Sequence, residues 1–157
     1  MWKNLKPYII SVLIALGVGG LAALLTRNNM DIYQSITRPP LSPPSWLFPV
    51  VWTVLYILMG ISSAMVYIKG SEGDEDASSA LRIYALQLAA NFFWSIIFFN
   101  MQAYLFAFIW IILLWVLIII MIKRFYEVSP VAAWLQIPYL LWVTFAAYLN
   151  LMIYFLN

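Results

Sequence analysis

Five apolar stretches, each about as long as a membrane is thick, occupy most of a chain of 157 residues. They run over residues 7–26, 45–69, 81–100, 104–123 and 130–155, and every charged side chain falls between them or at their ends. A helix needs about 20 apolar residues to cross hydrocarbon. Only helices and closed barrels can cross without stranding backbone polar groups. The fold class that follows is an all-α membrane protein, a bundle of five transmembrane helices forming one domain over 1–157. Composition agrees. The chain is 66% hydrophobic and 9% charged, whereas a soluble domain carries about 25% charge. So little charge cannot cover a surface facing water, and the lipid bilayer is the solvent for most of the chain.

The connections differ in kind. Residues 27–44 are polar and punctuated by Arg38-Pro39-Pro40 and Ser42-Pro43-Pro44. A long loop of this sort between membrane helices is often a lid over a site. The turn at 70–79 carries Glu72, Asp74, Glu75 and Asp76 and reads as a solvated connection. The link at 100–103 is so tight that the third and fourth helices are expected to be antiparallel neighbours. Pro7, Pro44 and Pro130 stand at or just before the expected helix starts, where a missing N–H costs nothing.

Basic residues give the orientation. Lys3, Lys6, Lys69, Arg82, Lys123 and Arg124 fall on one side of a five-crossing topology, and Arg27 and Arg38 on the other. Six against two predicts a cytoplasmic N-terminus in the cell membrane, with the 27–44 loop facing outward. The first stretch is expected to be retained, because signal-peptide cores are shorter, about 7–15 residues.

Several chemistries are excluded. With no Cys and no His there are no disulfides, thiolate nucleophiles or imidazole bases, and no usual ligands for zinc, so no metal site is expected. Were haem to bind, only Met or Tyr could ligate its iron. A net charge of +2 is too small to suggest nucleic acid. No ionisable group stands at membrane depth, which argues against a proton-coupled exporter and against carboxylate acid–base catalysis.

The membrane interior holds aromatic rings and a few amides instead. Among the 8 Trp, Trp2, Trp46 and Trp134 lie near helix ends and fit the interfacial aromatic belt. Trp52, Trp94 and Trp142 lie roughly 10–20 Å inside their helices, at about 1.5 Å per residue. An indole N–H at that depth needs a partner, so packing and site-lining stand equally open for these three. Gln87, Asn91 and Trp94 share one face of the third helix at spacings of four and three. The amides act either as glue between helices or as contacts to a polar group on a ligand. The second helix offers Phe48, Trp52 and Tyr56 on one stripe, and the fifth offers Pro138, Trp142, Ala146 and Asn150. Small Ala146 beside Trp142 leaves room for a flat guest. An apolar pocket with few polar groups is the usual form of a small-molecule site. In the first helix Ser11, Ala15, Gly19 and Ala23 recur every four residues, for close packing inside the bundle or between two copies. Ala85 and Ala89 repeat the pattern more weakly in the third.

Four ordered blocks carry a resemblance. They are Arg38-Pro39 with Ser42-Pro43-Pro44-Ser45-Trp46-Leu47-Phe48; Val51-Trp52-Thr53-Val54-Leu55-Tyr56-Ile57-Leu58-Met59-Gly60; Gln87-Leu88-Ala89-Ala90-Asn91-Phe92-Phe93-Trp94-Ser95; and Pro138-Tyr139-Leu140-Leu141-Trp142-Val143-Thr144-Phe145-Ala146 with Leu149-Asn150. In these the sequence resembles the TspO/MBR family, the tryptophan-rich sensory proteins and translocator proteins, over nearly its whole length. The resemblance implies a five-helix bundle, often a homodimer, with a pocket closed by the loop between the first two helices. It implies binding of protoporphyrin or other porphyrins, including haem, as ligand rather than required cofactor. Isoquinoline carboxamides and other hydrophobic small molecules are further expected ligands. By motif position the pocket includes Tyr33, Trp52, Asn91, Trp94, Trp142, Phe145 and Ala146; the stripes read above add Phe48 and Gln87. The role implied is that of a sensor, carrier or scavenger of porphyrins, with transport as an alternative. Some bacterial members break down protoporphyrin in light. Those place Trp before the loop Tyr, where this chain has Ile32. An indole can donate an electron to an excited porphyrin and isoleucine cannot, so the expectation leans away from an enzyme and leaves Trp142 as the one candidate catalytic residue. The cholesterol pattern of animal members needs Lys or Arg soon after Tyr148, and the last basic residue is Arg124.

Overall fold

The computed structural model describes residues 2–157, with side chains from residue 5 onward. The side chains of Trp2 and Lys3, assigned above to the belt and to the basic side, lie outside the described residues. The helices are α1 (Trp2–Thr26), a single turn α2 (Ile32–Ser35), α3 (Leu47–Ser71), α4 (Ala77–Ser95), α5 (Tyr104–Val128), a short α6 (Pro130–Trp134) and α7 (Ile137–Leu156). After α4 the chain widens into one π-helical turn, Ile96–Asn100. Among the described residues five spans are long and apolar enough to cross a membrane, so the chain is a multi-pass membrane protein. Lys6, Lys69, Arg82, Lys123 and Arg124 lie at one end of the bundle, hereafter the basic end; the 27–44 loop covers the other, the loop end.

The spans differ from their sequence-based limits for identifiable reasons. Helix α1 begins five residues before Pro7, which lies inside it. Helix α5 continues past Lys123 and Arg124 to Val128, because long basic side chains reach water while their stems stay in the apolar layer. The last stretch is broken between Trp134 and Ile137. Pro138 has no N–H to give the Trp134 carbonyl, so one continuous helix would lose a bond there. Ser129 caps the short α6, its hydroxyl accepting from the Ala132 N–H at 3.4 Å, and Pro130 takes the first helical position.

Helix α5 forms the back of the bundle. Ala107, Ile111, Leu114, Ile118, Met121, Phe125 and Val128 are buried along one face, alternating spacings of four and three that keep a single stripe inward. Its other faces leave Ile109, Ile112, Leu113 and Val116 exposed to lipid. Two indoles fasten it sideways: Trp110 Nε1 donates to the Ala90 carbonyl at 2.7 Å, and Trp115 Nε1 to the Thr144 hydroxyl at 2.8 Å. At the basic end the Ser62 hydroxyl donates to the Ala132 carbonyl at 2.7 Å, and the Arg124 guanidinium donates to the Ser79 hydroxyl.

Helices α1 and α3 approach most closely where a side chain is missing. A Cβ on Gly60 would fall 2.5 Å from the Val12 backbone, and one on Gly19 would fall 2.4 Å from the Tyr56 ring. Ala15 is fully buried. The small-residue stripe of α1 is therefore used inside the bundle at Ala15 and Gly19. We expect Gly60→Ala to force the two helices apart and to lower stability by about 1–3 kcal/mol. Gly17→Ala, whose methyl would meet open space, is expected to leave stability unchanged or slightly raised. Thermal unfolding in detergent, followed by circular dichroism, compares the two; equal melting temperatures would refute the close-approach account.

Candidate ligand cavity

A cavity of about 640 Å³ opens in the loop half of the bundle, between α1, α3, α7 and the end of α4. Its existence follows from what its walls are made of. On one side α3 and α7 meet through large rings placed edge to face: Phe48 against Trp142 at 5.8 Å and Trp52 against Tyr139 at 6.3 Å. These rings hold the two backbones apart. On the other side α1 contributes Gly19, Gly20, Ala22 and Ala23 to the wall, and α7 contributes Ala146, which leave the space between unfilled. The π-helical turn brings two consecutive rings, Phe98 and Phe99, to the lining. Such turns recur at functional sites because they re-aim side chains.

The lining is almost free of unspent polarity. Trp94 Nε1 donates to Asn150 Oδ1 at 3.0 Å, and Asn150 Nδ2 donates to the Tyr104 carbonyl at 2.8 Å. The hydroxyls of Thr26 and Thr53 donate to carbonyls in their own helices. The Trp142 indole N–H is buried without a partner, and the Trp52 indole and Ser95 hydroxyl also stand in the lining without bonding another side chain. Among the lining residues the one charged side chain is Asp31, exposed at the mouth.

The loop is fastened across the mouth. The Tyr33 side chain is buried and its hydroxyl donates to the Pro43 carbonyl at 2.7 Å, while Gln34 Nε2 donates to the Ser45 hydroxyl at 2.7 Å. The Tyr148 hydroxyl donates to the Pro40 carbonyl at 2.9 Å. The Asn157 amide accepts from the Thr37 N–H at 2.9 Å and donates to its carbonyl at 2.8 Å. Asn29 and Asn100 join the start of the loop to the π-helical turn after α4, at 2.8 Å. The Arg38 guanidinium lies 5.0 Å above the Tyr33 ring and is not part of the lining.

Six of the nine residues singled out from the sequence line this cavity: Tyr33, Phe48, Trp52, Trp94, Trp142 and Ala146. Three do not. Gln87 and Asn91 are buried behind the floor, where Asn91 Oδ1 accepts from the Tyr56 hydroxyl at 3.3 Å and Asn91 Nδ2 donates to the Tyr139 hydroxyl at 2.8 Å. The Tyr139 hydroxyl then donates to Gln87 Oε1 at 2.7 Å. These amides join α3, α4 and α7, the glue reading of the two considered. Phe145 packs beside the cavity, 5.7 Å from Trp142 and 6.2 Å from Tyr148. Lining residues outside the nine include Tyr56 and Asn150. Both stand one turn further along the stripes of Phe48–Trp52 and Trp142–Ala146, so the periodicity carried the signal. The α1 wall had no such signal, since small residues mark a close approach and a void alike.

The profile of the TspO/MBR family matches residues 10–156. The chain is 37% identical over 158 residues to the tryptophan-rich protein TspO of Chlorobaculum tepidum, covering all of this chain and 99% of that one. It is 36% identical to the TspO of Archaeoglobus fulgidus, over 98% of this chain and 99% of that one. The translocator protein of Bos taurus is 35% identical over 84% of this chain and 79% of its own length.

The network behind the floor gives a direct test. Tyr139→Phe strands two buried amides at once, and leaving a buried group unpaired costs about 1–3 kcal/mol. Tyr56→Phe removes only the longer 3.3 Å bond and is expected to cost under about 1 kcal/mol. Melting temperatures of the purified variants should fall in that order; an unchanged Tyr139→Phe would show the network to contribute nothing.

Proposed function

The chain belongs to the TspO/MBR family, and from that premise we propose that its cavity binds a flat, largely apolar molecule of the tetrapyrrole class, the protein acting as a sensor, carrier or scavenger of porphyrins. The observation that carries this reading is the lining itself: Phe48, Trp52, Trp94 and Trp142 around a cavity of about 640 Å³. Aromatic faces and edges suit a planar ring system. The unpartnered Trp142 N–H lies beneath the cavity surface rather than on it, so the hold on such a guest, or on a neutral isoquinoline carboxamide, comes from contact with the rings.

Charge at the mouth decides how a porphyrin would enter. Its propionates are anionic, and the charged side chain at the mouth is Asp31 rather than an arginine. To meet a propionate Arg38 would leave the Tyr33 ring, a contact worth about 0.5–1 kcal/mol at an exposed site, in return for a charge-assisted hydrogen bond. In this reading Arg38 turns toward the ligand while Asp31 opposes it.

We place the protein in the cell membrane with its N-terminus in the cytoplasm, on the six-to-two distribution of basic residues. A second copy would meet the outer face of α4, where Ala85 and Ala89 are exposed one turn apart, since the α1 stripe is spent inside.

Two titrations test the proposal, both read as quenching of Trp fluorescence by protoporphyrin. Trp142→Ala is expected to weaken binding at least severalfold; quenching identical to wild type would remove the cavity from the account. Asp31→Asn is expected to tighten protoporphyrin binding a fewfold at low salt, the gain shrinking as salt rises. It should leave a neutral carboxamide ligand unaffected. A change common to both ligands would mean that Asp31 acts on the loop rather than on charge.

A further inference from the structure

The polar layer behind the cavity floor does not end at Gln87. Gln136 is fully buried where α6 gives way to α7, and neither its amide nitrogen nor its oxygen has a hydrogen-bond partner. Gln87 Nε2 and the Tyr84 hydroxyl are likewise buried and unpartnered. Exchanging the oxygen and nitrogen of either amide changes nothing: both Gln136 atoms are free, and Gln87 keeps one free atom whichever faces Tyr139.

The register of the helices gathers these groups in one layer. Gln136 stands one turn before Tyr139 on α7, and Tyr84 one turn before Gln87 on α4. The Tyr139 hydroxyl bonds Gln87 at 2.7 Å, which ties α4 to α7 one turn above Tyr84 and Gln136. Helix α3 closes the third side. Its Ser62 bonds the Ala132 carbonyl at 2.7 Å, one turn before Gln136. An unpartnered amide in an apolar interior is costly, and in a bilayer the surrounding lipid supplies no relief. The four atoms mix donors and acceptors without formal charge. That suits neither an anion nor a cation, but it suits water, which takes two to four such partners in a buried polar site.

We propose that ordered water is bound in the basic half of the bundle between Tyr84, Gln87 and Gln136. The water completes a hydrogen-bonded chain that starts at Tyr56 in the cavity wall and runs through Asn91, Tyr139 and Gln87. It thereby fixes the Tyr56 ring against Gly19, independently of which ligand the cavity takes.

The test uses the full chain in lipid bilayers with ¹⁵N in its glutamines. There are four, Gln34, Gln87, Gln102 and Gln136, of which Gln34 and Gln102 are exposed. Solid-state NMR transfer from water to side-chain amides should give water contacts at all four, and two of them, Gln87 and Gln136, should survive a soluble paramagnetic agent. Two amides with no water contact would overturn the proposal. Stability supplies an independent sign. If the layer is hydrated, Gln136→Leu leaves the water short of partners and lowers the melting temperature by about 3 °C. If the layer is dry, the same change relieves an unpaired amide and raises it, which would also overturn the proposal.

Discussion

Hydrocarbon offers no hydrogen bonds, and the whole arrangement of this bundle follows from that. Inside the membrane every polar group must find its partner within the protein. The chain meets most of that demand with neutral groups, the buried atoms of Tyr84, Gln87, Gln136 and Trp142 being left over. Indoles reach across helix boundaries, Trp110 to Ala90, Trp115 to Thr144 and Trp94 to Asn150. Two phenols and two amides tie α3, α4 and α7 into one layer. Each bond is modest, about 0.5–1.5 kcal/mol net, but breaking those made by Trp94, Asn91 and Tyr139 leaves a buried group stranded. The network therefore specifies the relative positions of the helices more strongly than its summed strength would suggest.

The cavity is the complement of that layer. Toward the basic end α5 buries Ile118, Met121 and Phe125 completely. Above the layer the helices carry rings on two sides and glycine or alanine on the others. Rings resist collapse because they are rigid, and Gly19, Ala23 and Ala146 cannot reach across. Tyr56 belongs to both regions: its ring lines the cavity and its hydroxyl is held by Asn91. The shape of the void is thus set from behind, by a polar layer that meets it only through the Tyr56 ring.

How much of this could be read from the sequence depends on the kind of signal. The five spans were legible because hydrocarbon imposes a length and a composition that few soluble sequences meet. The face of α4 that carries Gln87, Asn91 and Trp94 was legible from its spacing. What each residue does on that face was not. Trp94 reaches the cavity while Asn91, one turn away, is taken by Tyr56 and Tyr139, and nothing in the spacing records where those phenols end. The break before α7 was written in Pro138 yet hidden by the continuous apolar run around it. The roles of Trp110 and Trp115 could not be read at all, since a tryptophan facing a neighbouring helix and one facing lipid have the same periodicity.

The lid completes the physical picture. Apolar walls attract in proportion to area and without direction, so the cavity by itself sorts guests by size and flatness. The loop is held to the C-terminal end of α7 by neutral bonds, one from Tyr148 to Pro40 and two between Thr37 and Asn157. All three are exposed and compete with water, so each is worth at most about 0.5–1.5 kcal/mol, and the loop is held far less firmly than the helices beneath it, whose cross-links are buried.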